Sequence, residues 1–170
     1  MDMSFKELVV KNRSYRGYDH SRWLTREELL EMVDCARLAA SSVNKQPLKY
    51  VLVYEPEMVD KVQPLTKWGR ALPDMVLPHP GKEPTAFIVI CLDKTISENE
   101  KIFTRDMGIV AQTILLAAVD MGLGGCMIGN FVRAEVSAAL DLPEDGNTNY
   151  YRDAADVHYV PKRALEDIVL

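Results

Sequence analysis

Ile109-Val110-Ala111-Gln112-Thr113-Ile114-Leu115-Leu116-Ala117-Ala118-Val119 carries only two polar side chains, Gln112 and Thr113. The spacing predicts a helix over residues 104–121 that is apolar nearly all round and the most buried in the chain. Such a helix lies in the middle of a core or in a contact between subunits. Gly122 ends it, and Gly125-Cys126-Met127-Ile128-Gly129 reads as a short strand. Upstream, Ala86-Phe87-Ile88-Val89-Ile90-Cys91-Leu92 is an unbroken apolar run, the pattern of a strand covered on both faces. Tyr50-Val51-Leu52-Val53-Tyr54 is a second strand, rich in β-branched and aromatic residues. Two capping boxes stand nearer the N-terminus, Ser4-Phe5-Lys6-Glu7 and Thr25-Arg26-Glu27-Glu28. The first opens a short helix with Phe5, Leu8 and Val9 inward, stopping near Asn12. The second opens a longer helix with Leu29, Met32, Val33 and Ala36 on one face.

Brief helices are expected over residues 58–63 and 133–142. Residues 67–84, rich in proline and glycine, read as a long loop of the lid or binding kind. The tail, residues 150–170, is expected to add little core of its own. The sum is an α+β domain of a few strands mainly surrounded by helices, with residues 1–170 as a single domain. The central helix displays more apolar surface than the remaining elements can cover, so an obligate dimer is expected.

The chain has 170 residues, 48% of them hydrophobic and 26% charged, enough for one core and short for two. Its formal net charge of −5 speaks against a nucleic-acid binder, because phosphate binding needs a dense basic surface. Met1-Asp2-Met3-Ser4-Phe5-Lys6-Glu7 carries acids and no apolar core, so no signal peptide is expected. No apolar run approaches the roughly 20 residues of a membrane helix. Cys35, Cys91 and Cys126 lie far apart among apolar neighbours, without CxxC spacing. They read as buried thiols in a reducing cytoplasm, not as disulfides or zinc ligands, and a cytoplasmic location is expected.

Several chemistries can be set aside. Gly122-Leu123-Gly124-Gly125 follows a helix and precedes a strand, the reverse of the order in a phosphate-cradling fingerprint. There is no GxxxxGK[ST] and no GxSxG. His20, His79 and His158 lack ligand spacing, and no metal site is expected. Asp2, Asp93, Asp106 and Asp120 form no helical carboxylate pair for acid–base work. No catalytic side chain stands out, so a bound group must carry any reactive electrons. What remains is anion binding. Arg13, Ser14 and Arg16 fall within four residues between two helices, and guanidinium and hydroxyl donors suit a phosphate monoester. Pro161-Lys162-Arg163 adds two more cations near the other end.

Four segments then stand in order: Arg13-Ser14-Tyr15-Arg16-Gly17-Tyr18, Ser41-Ser42-Val43-Asn44-Lys45-Gln46-Pro47, Gly122 through Gly129, and Val160-Pro161-Lys162-Arg163. In that order they resemble the FMN-dependent nitroreductase family, from Ser4 to about Leu142 and again from Tyr150. The resemblance implies a central, mostly antiparallel sheet surrounded by helices, built as an intertwined homodimer. It implies FMN as cofactor, NADH or NADPH as electron donor, and a nitroaromatic, quinone or similar electron-poor small molecule as acceptor. Exchange would be ping-pong at flavin N5, with the protein supplying position and electrostatics. Arg13, Ser14 and Arg16 would hold the flavin phosphate and the pyrimidine side of the ring, and Lys162 and Arg163 would close on the phosphate from the C-terminal side. Ser41, Ser42, Asn44 and Gln46 would join the cofactor site, the first three reaching the flavin of the other subunit. Ile128, Gly129 and Asn130 would pass beneath the ring, where a missing side chain lets backbone approach a planar ligand. Trp68 and Leu72 would wall the acceptor pocket.

One departure matters. Family members usually carry another apolar strand with a Gly-x-Pro turn after the last core helix. Here only Pro143-Glu144-Asp145-Gly146-Asn147-Thr148-Asn149 separates Leu142 from Tyr150, and no such strand fits. Other readings stay open at this point: a flavin-binding carrier or sensor without turnover, a reductive dehalogenase on the same scaffold, and a ligand-free structural module.

Overall fold

A computed structural model describes residues 3–142 and 163–170. The segment 143–162 lies outside them, and with it Lys162, His158 and the stretch 143–149 whose sequence departs from the family pattern.

Among the described residues seven α-helices and strands follow in chain order, α1 (Phe5–Lys11), α2 (Arg26–Arg37), β1 (Leu48–Val53), α3 (Pro56–Val62), β2 (Phe87–Leu92), α4 (Glu100–Asp120) and α5 (Arg133–Ala139). Both capping boxes form as the sequence spells them. Ser4 Oγ accepts from the Glu7 backbone N–H at 3.4 Å, and Glu7 Oε2 accepts from Ser4 N–H at 2.8 Å. Thr25 and Glu28 repeat the exchange at 3.3 and 2.9 Å. Each pair satisfies two backbone donors that a helix start leaves open.

The main core lies between α2, α4 and the sheet. The predicted stripe of α2 (Leu29, Met32, Val33 and Ala36) is buried there with Tyr50, Val110, Ile114 and Ala118. A smaller cluster of Val53, Val59, Val62, Val136 and Leu140 joins α3 and α5 to the far end of the strands. β1 and β2 pair antiparallel, with Leu48 opposite Leu92 and Val53 opposite Phe87. The other edge of β1 takes the end of the chain: Tyr50 N–H donates to Ile168 O at 2.7 Å, and Leu170 N–H to Tyr50 O at 2.9 Å. Ile168 is buried in the main core, so the tail gives the core more than its polar sequence promises.

Several expectations are corrected. Residues 125–129 form no strand; the nearest bridge is that of Phe131, just beyond them, to Thr66. β2 is only half-buried along its length, since few elements cover a two-stranded sheet. α1 turns Phe5 and Val9 outward, 70% and 41% exposed, and only Leu8 leans toward α4. α4 starts earlier than its apolar run, where the Asn99 side chain accepts from Ile102 N–H at 3.2 Å. At 21 residues it is long and apolar enough to cross a membrane by length and composition, which the sequence reading denied. Its stripe Phe103, Asp106, Val110, Ile114, Ala118 is nevertheless buried against the chain's own elements, as in a core helix. The rest of α4 is not the most buried surface of the chain: Ile102 and Ile109 stay 45% and 43% exposed. The three cysteines are free and half-buried, not fully enclosed.

Candidate functional site

Arg13 sits just beyond the C-terminus of α1 and donates from Nη1 to the carbonyls of Val9 (3.1 Å) and Asn12 (2.7 Å), satisfying oxygens that the helix end leaves open. Arg16 Nη1 donates to Ser14 O at 3.1 Å. Both contacts use one guanidinium nitrogen and leave further donors for a ligand. Between them, Tyr15 N–H donates to Gly125 O at 3.1 Å, and its ring packs closely against Gly124. A Cβ at Gly124 would stand 2.6 Å from Tyr15 Cδ2, so only glycine admits this approach.

The loop 67–84 closes the third side. Lys67 N–H donates to Asn130 O at 2.9 Å, Tyr18 N–H to Lys82 O at 3.0 Å and His79 N–H to Arg16 O at 3.3 Å. Main-chain bonds thus tie three distant segments, 13–18, 66–82 and 124–131. Between them opens a cleft of about 250 Å³ lined by Arg16, Lys67, Arg70, Leu72, Ile128, Gly129 and Asn130, among others. Arg16, Leu72 and the Ile128–Asn130 triplet therefore meet, as the sequence suggested. Trp68 is not on the lining. Its ring packs edge-on against Tyr18 with centroids 6.3 Å apart, and its Nε1–H donates to Thr66 Oγ1 at 2.8 Å. Arg13 and Ser14 are exposed and off the lining as well. Burial holds the Tyr18 phenol above its ordinary range. A Cβ at Gly129 would meet nothing in the chain, so packing within this chain does not explain the glycine.

A second group forms where the segment after α2 meets α4. Ser41 Oγ donates to Asp106 Oδ2 at 2.7 Å, Ser42 N–H to the same oxygen at 2.8 Å, and Ser42 Oγ to Oδ1 at 2.7 Å. Ser41 Oγ also accepts from Gln46 N–H at 3.0 Å. Gln46 in turn receives Arg163: its Oε1 accepts from the Arg163 N–H and its carbonyl from Arg163 Nη1, both at 3.0 Å. The loop is strained. Val43, Asn44 and Gln46 have φ of 49°, 51° and 50°, in the left-handed region that a β-branched residue such as valine rarely enters. Val43 is 85% exposed at its tip. Strain of this kind persists only where surrounding contacts over-determine it, and here Asp106 and Arg163 supply them. Each serine has one hydroxyl proton, and Asp106 receives it; toward a ligand both serines present lone pairs. The lining of this group shares no residue with the 250 Å³ cleft.

The sequence profile described as the nitroreductase family matches residues 9–151. The chain belongs to that family. A protein of Archaeoglobus fulgidus, provisionally named NADH dehydrogenase/NAD(P)H nitroreductase, is 29% identical over 135 residues, 79% of this chain and 72% of its own length. Among solved structures, a nitroreductase family protein from Clostridium novyi NT superposes with a TM-score of 0.69 at 24% identity, covering 84% of this chain and 80% of its own. A provisionally named nitroreductase in complex with FMN from Exiguobacterium sibiricum superposes with a TM-score of 0.68 at 19% identity, covering 91% and 97%. The fold is nitroreductase-like α+β.

For this nitroreductase-family chain, the residue that sequence reasoning missed is Asp106. In the sequence Asp106 stands out only as a carboxylate without a helical carboxylate partner. The usable signal was its place on the buried stripe of α4, three residues after Phe103 and four before Val110: a carboxylate 2% exposed on an apolar stripe must have donors waiting for it.

Proposed function

We propose that the chain is an FMN-dependent NAD(P)H oxidoreductase that works as a homodimer and reduces small electron-poor acceptors, nitroaromatics or quinones. The observation that carries this reading is the cleft itself. Arg16 lines it, Ile128, Gly129 and Asn130 line one wall, and at Gly129 that wall carries no side chain. An aromatic ring system can approach such a wall closely. When bound there, FMN would accept two electrons from a reduced nicotinamide and return them to the acceptor. For a nitro group the sum is NAD(P)H, a proton and ArNO2 giving NAD(P)+, ArNO and water.

The residues supply the rest. Arg13 and Arg16 would hold the phosphate and the pyrimidine edge, the latter cation favouring the charge that develops on reduction. Ile128–Asn130 would back the ring. Ser41, Ser42, Asn44 and Gln46 would complete the site from the partner subunit, the two serines accepting from ligand hydroxyls or N–H groups, with Arg163 bracing the loop. Dimerisation is supported by the separation of the two groups and by the apolar surface left open at Phe5, Val10, Val43, Ile102 and Ile109. A strained loop with an 85% exposed valine at its tip is what a partner-facing contact would require.

The test is FMN titration by fluorescence. Arg13→Ala and Arg16→Ala are each expected to weaken FMN binding about tenfold, the loss of one charge-assisted contact of roughly 1.5 kcal/mol. Unchanged affinity in both would remove the proposed site.

A further inference from the structure

The cleft has an electrostatic asymmetry that holding a flavin does not account for. Its lining contains Arg16, Lys67 and Arg70 and no carboxylate, in a chain whose formal charge is −5. Arg16 belongs to the proposed cofactor site. Lys67 and Arg70 come from the other wall, on the loop 67–84. Among the described residues neither side chain makes an ion pair or a side-chain hydrogen bond, whereas Arg22, Arg37, Lys49 and Arg133 all have acidic partners.

Their placement is built into the backbone. Lys67 is fixed by its N–H bond to Asn130 O. Arg70 follows a turn at Gly69, where φ is 57° and a Cβ would lie 2.6 Å from Leu77 Cδ1, so that turn needs glycine. Leu72 N–H then closes the turn onto Gly69 O at 2.6 Å. Two cations are thus held beside the apolar surface of Leu72, Met127 and Ile128.

We infer that Lys67 and Arg70 make this site select acceptors that carry a negative charge, an aromatic nitro compound or quinone bearing a carboxylate or sulfonate. The inference rests on the flavin-site reading above and adds a substrate class to it. Apolar ring contacts come from Leu72 and Ile128, and the two cations meet the anionic substituent. The alternative anion is a phosphate of the nicotinamide dinucleotide, and the nicotinamide arm of the experiment separates the two.

Matched acceptors test this on the FMN-loaded protein: 4-nitrobenzoate against 4-nitrobenzyl alcohol. The native protein is expected to favour the carboxylate in kcat/KM, through KM, and the preference should shrink as ionic strength rises from 0.05 to 0.5 M. In Lys67→Gln/Arg70→Gln the anionic-over-neutral ratio should fall about tenfold. Calorimetric binding of benzoate against benzamide, which needs no turnover, should lose its preference in parallel. A ratio within twofold of native in the double variant overturns the inference. So does loss of FMN from it, which would put the two cations on the cofactor, or a collapse of NADPH use with acceptor selectivity intact. In each of these cases a flavin that is still reduced by nicotinamide in the native protein leaves the underlying reading standing. A native protein that never binds FMN fails that reading instead.

Discussion

Replacing Asp106 is the most informative perturbation of the site's architecture. Its carboxylate accepts three hydrogen bonds, from both hydroxyls of the Ser41-Ser42 pair and from the Ser42 N–H, at 2.7 to 2.8 Å. Bonds to a charged acceptor contribute about 1.5–3 kcal/mol each, and a buried donor left without a partner costs about 1–3 kcal/mol. The serines are half-buried, so in Asp106→Ala their hydroxyls can turn to water, and the loss should be nearer one strong bond than three. We expect about 3 kcal/mol in urea denaturation and about half of that for Asp106→Asn, which keeps one acceptor oxygen and the shape. The loop that bond set holds contains the left-handed Val43, Asn44 and Gln46, so its release should disorder the part of the site that this loop supplies. FMN binding should therefore weaken at least tenfold, about 1.4 kcal/mol, in Asp106→Ala. Val62→Ala serves as the control. It lies in the smaller cluster and should lose about 2 kcal/mol through missing methyls and a cavity, with FMN affinity intact. Should Asp106→Ala bind FMN as the native protein does, or should Val62→Ala lose it equally, the claim that Asp106 positions the Ser41–Gln46 loop is wrong.

Two further predictions concern groups outside the site. Lys49 Nζ lies 3.3 Å from Asp93 Oδ2 with side chains 3% and 0% exposed, so Asp93→Asn removes the charge opposite a buried ammonium. A drop of about 3–5 kcal/mol in denaturant stability is expected, and a drop under 1 kcal/mol would show that water or another acceptor reaches Lys49. Burial pushes the Cys91 thiol up to about 11. The folded state thus keeps a proton that the unfolded chain releases near pH 8.5, so Cys91 subtracts from stability as pH rises from there toward 11. Mass-mapped alkylation at pH 8 should modify Cys91 last of the three cysteines; early modification would contradict its burial.

Much of the fold was legible because it is written in local terms. Both helix starts were spelled by capping boxes, the α2 stripe by its 3.6 period, and the two paired strands by β-branched runs. What failed was whatever depends on a partner surface. The 125–129 segment has strand-like residues, and among the described residues no strand edge bonds with it. Phe5 and Val9 have the spacing of a core face, yet none of the described residues buries them. α4 reads as buried all round from composition, while among the described residues its burial follows the Phe103–Val119 stripe and leaves Ile102 and Ile109 exposed. For the site, the sequence pointed to Arg16, Leu72, Ile128, Gly129 and Asn130, which do meet in one cleft. It could not reveal the Lys67 and Arg70 wall, which arises from long-range main-chain bonds between the loop 67–84 and two other segments. Nor did it pair Asp106 with Ser41 and Ser42, because those groups stand 65 and 64 residues apart in the chain.

The measurement that bears most directly on the central claim is a visible spectrum of the purified protein with added FMN, before and after anaerobic addition of NADH or NADPH. The account predicts an oxidised-flavin band retained through gel filtration at the mass of a dimer, and bleaching of that band by the nicotinamide. A colourless monomer that leaves FMN behind on the column would contradict it, and a retained band that neither nicotinamide bleaches would leave a flavin binder without turnover.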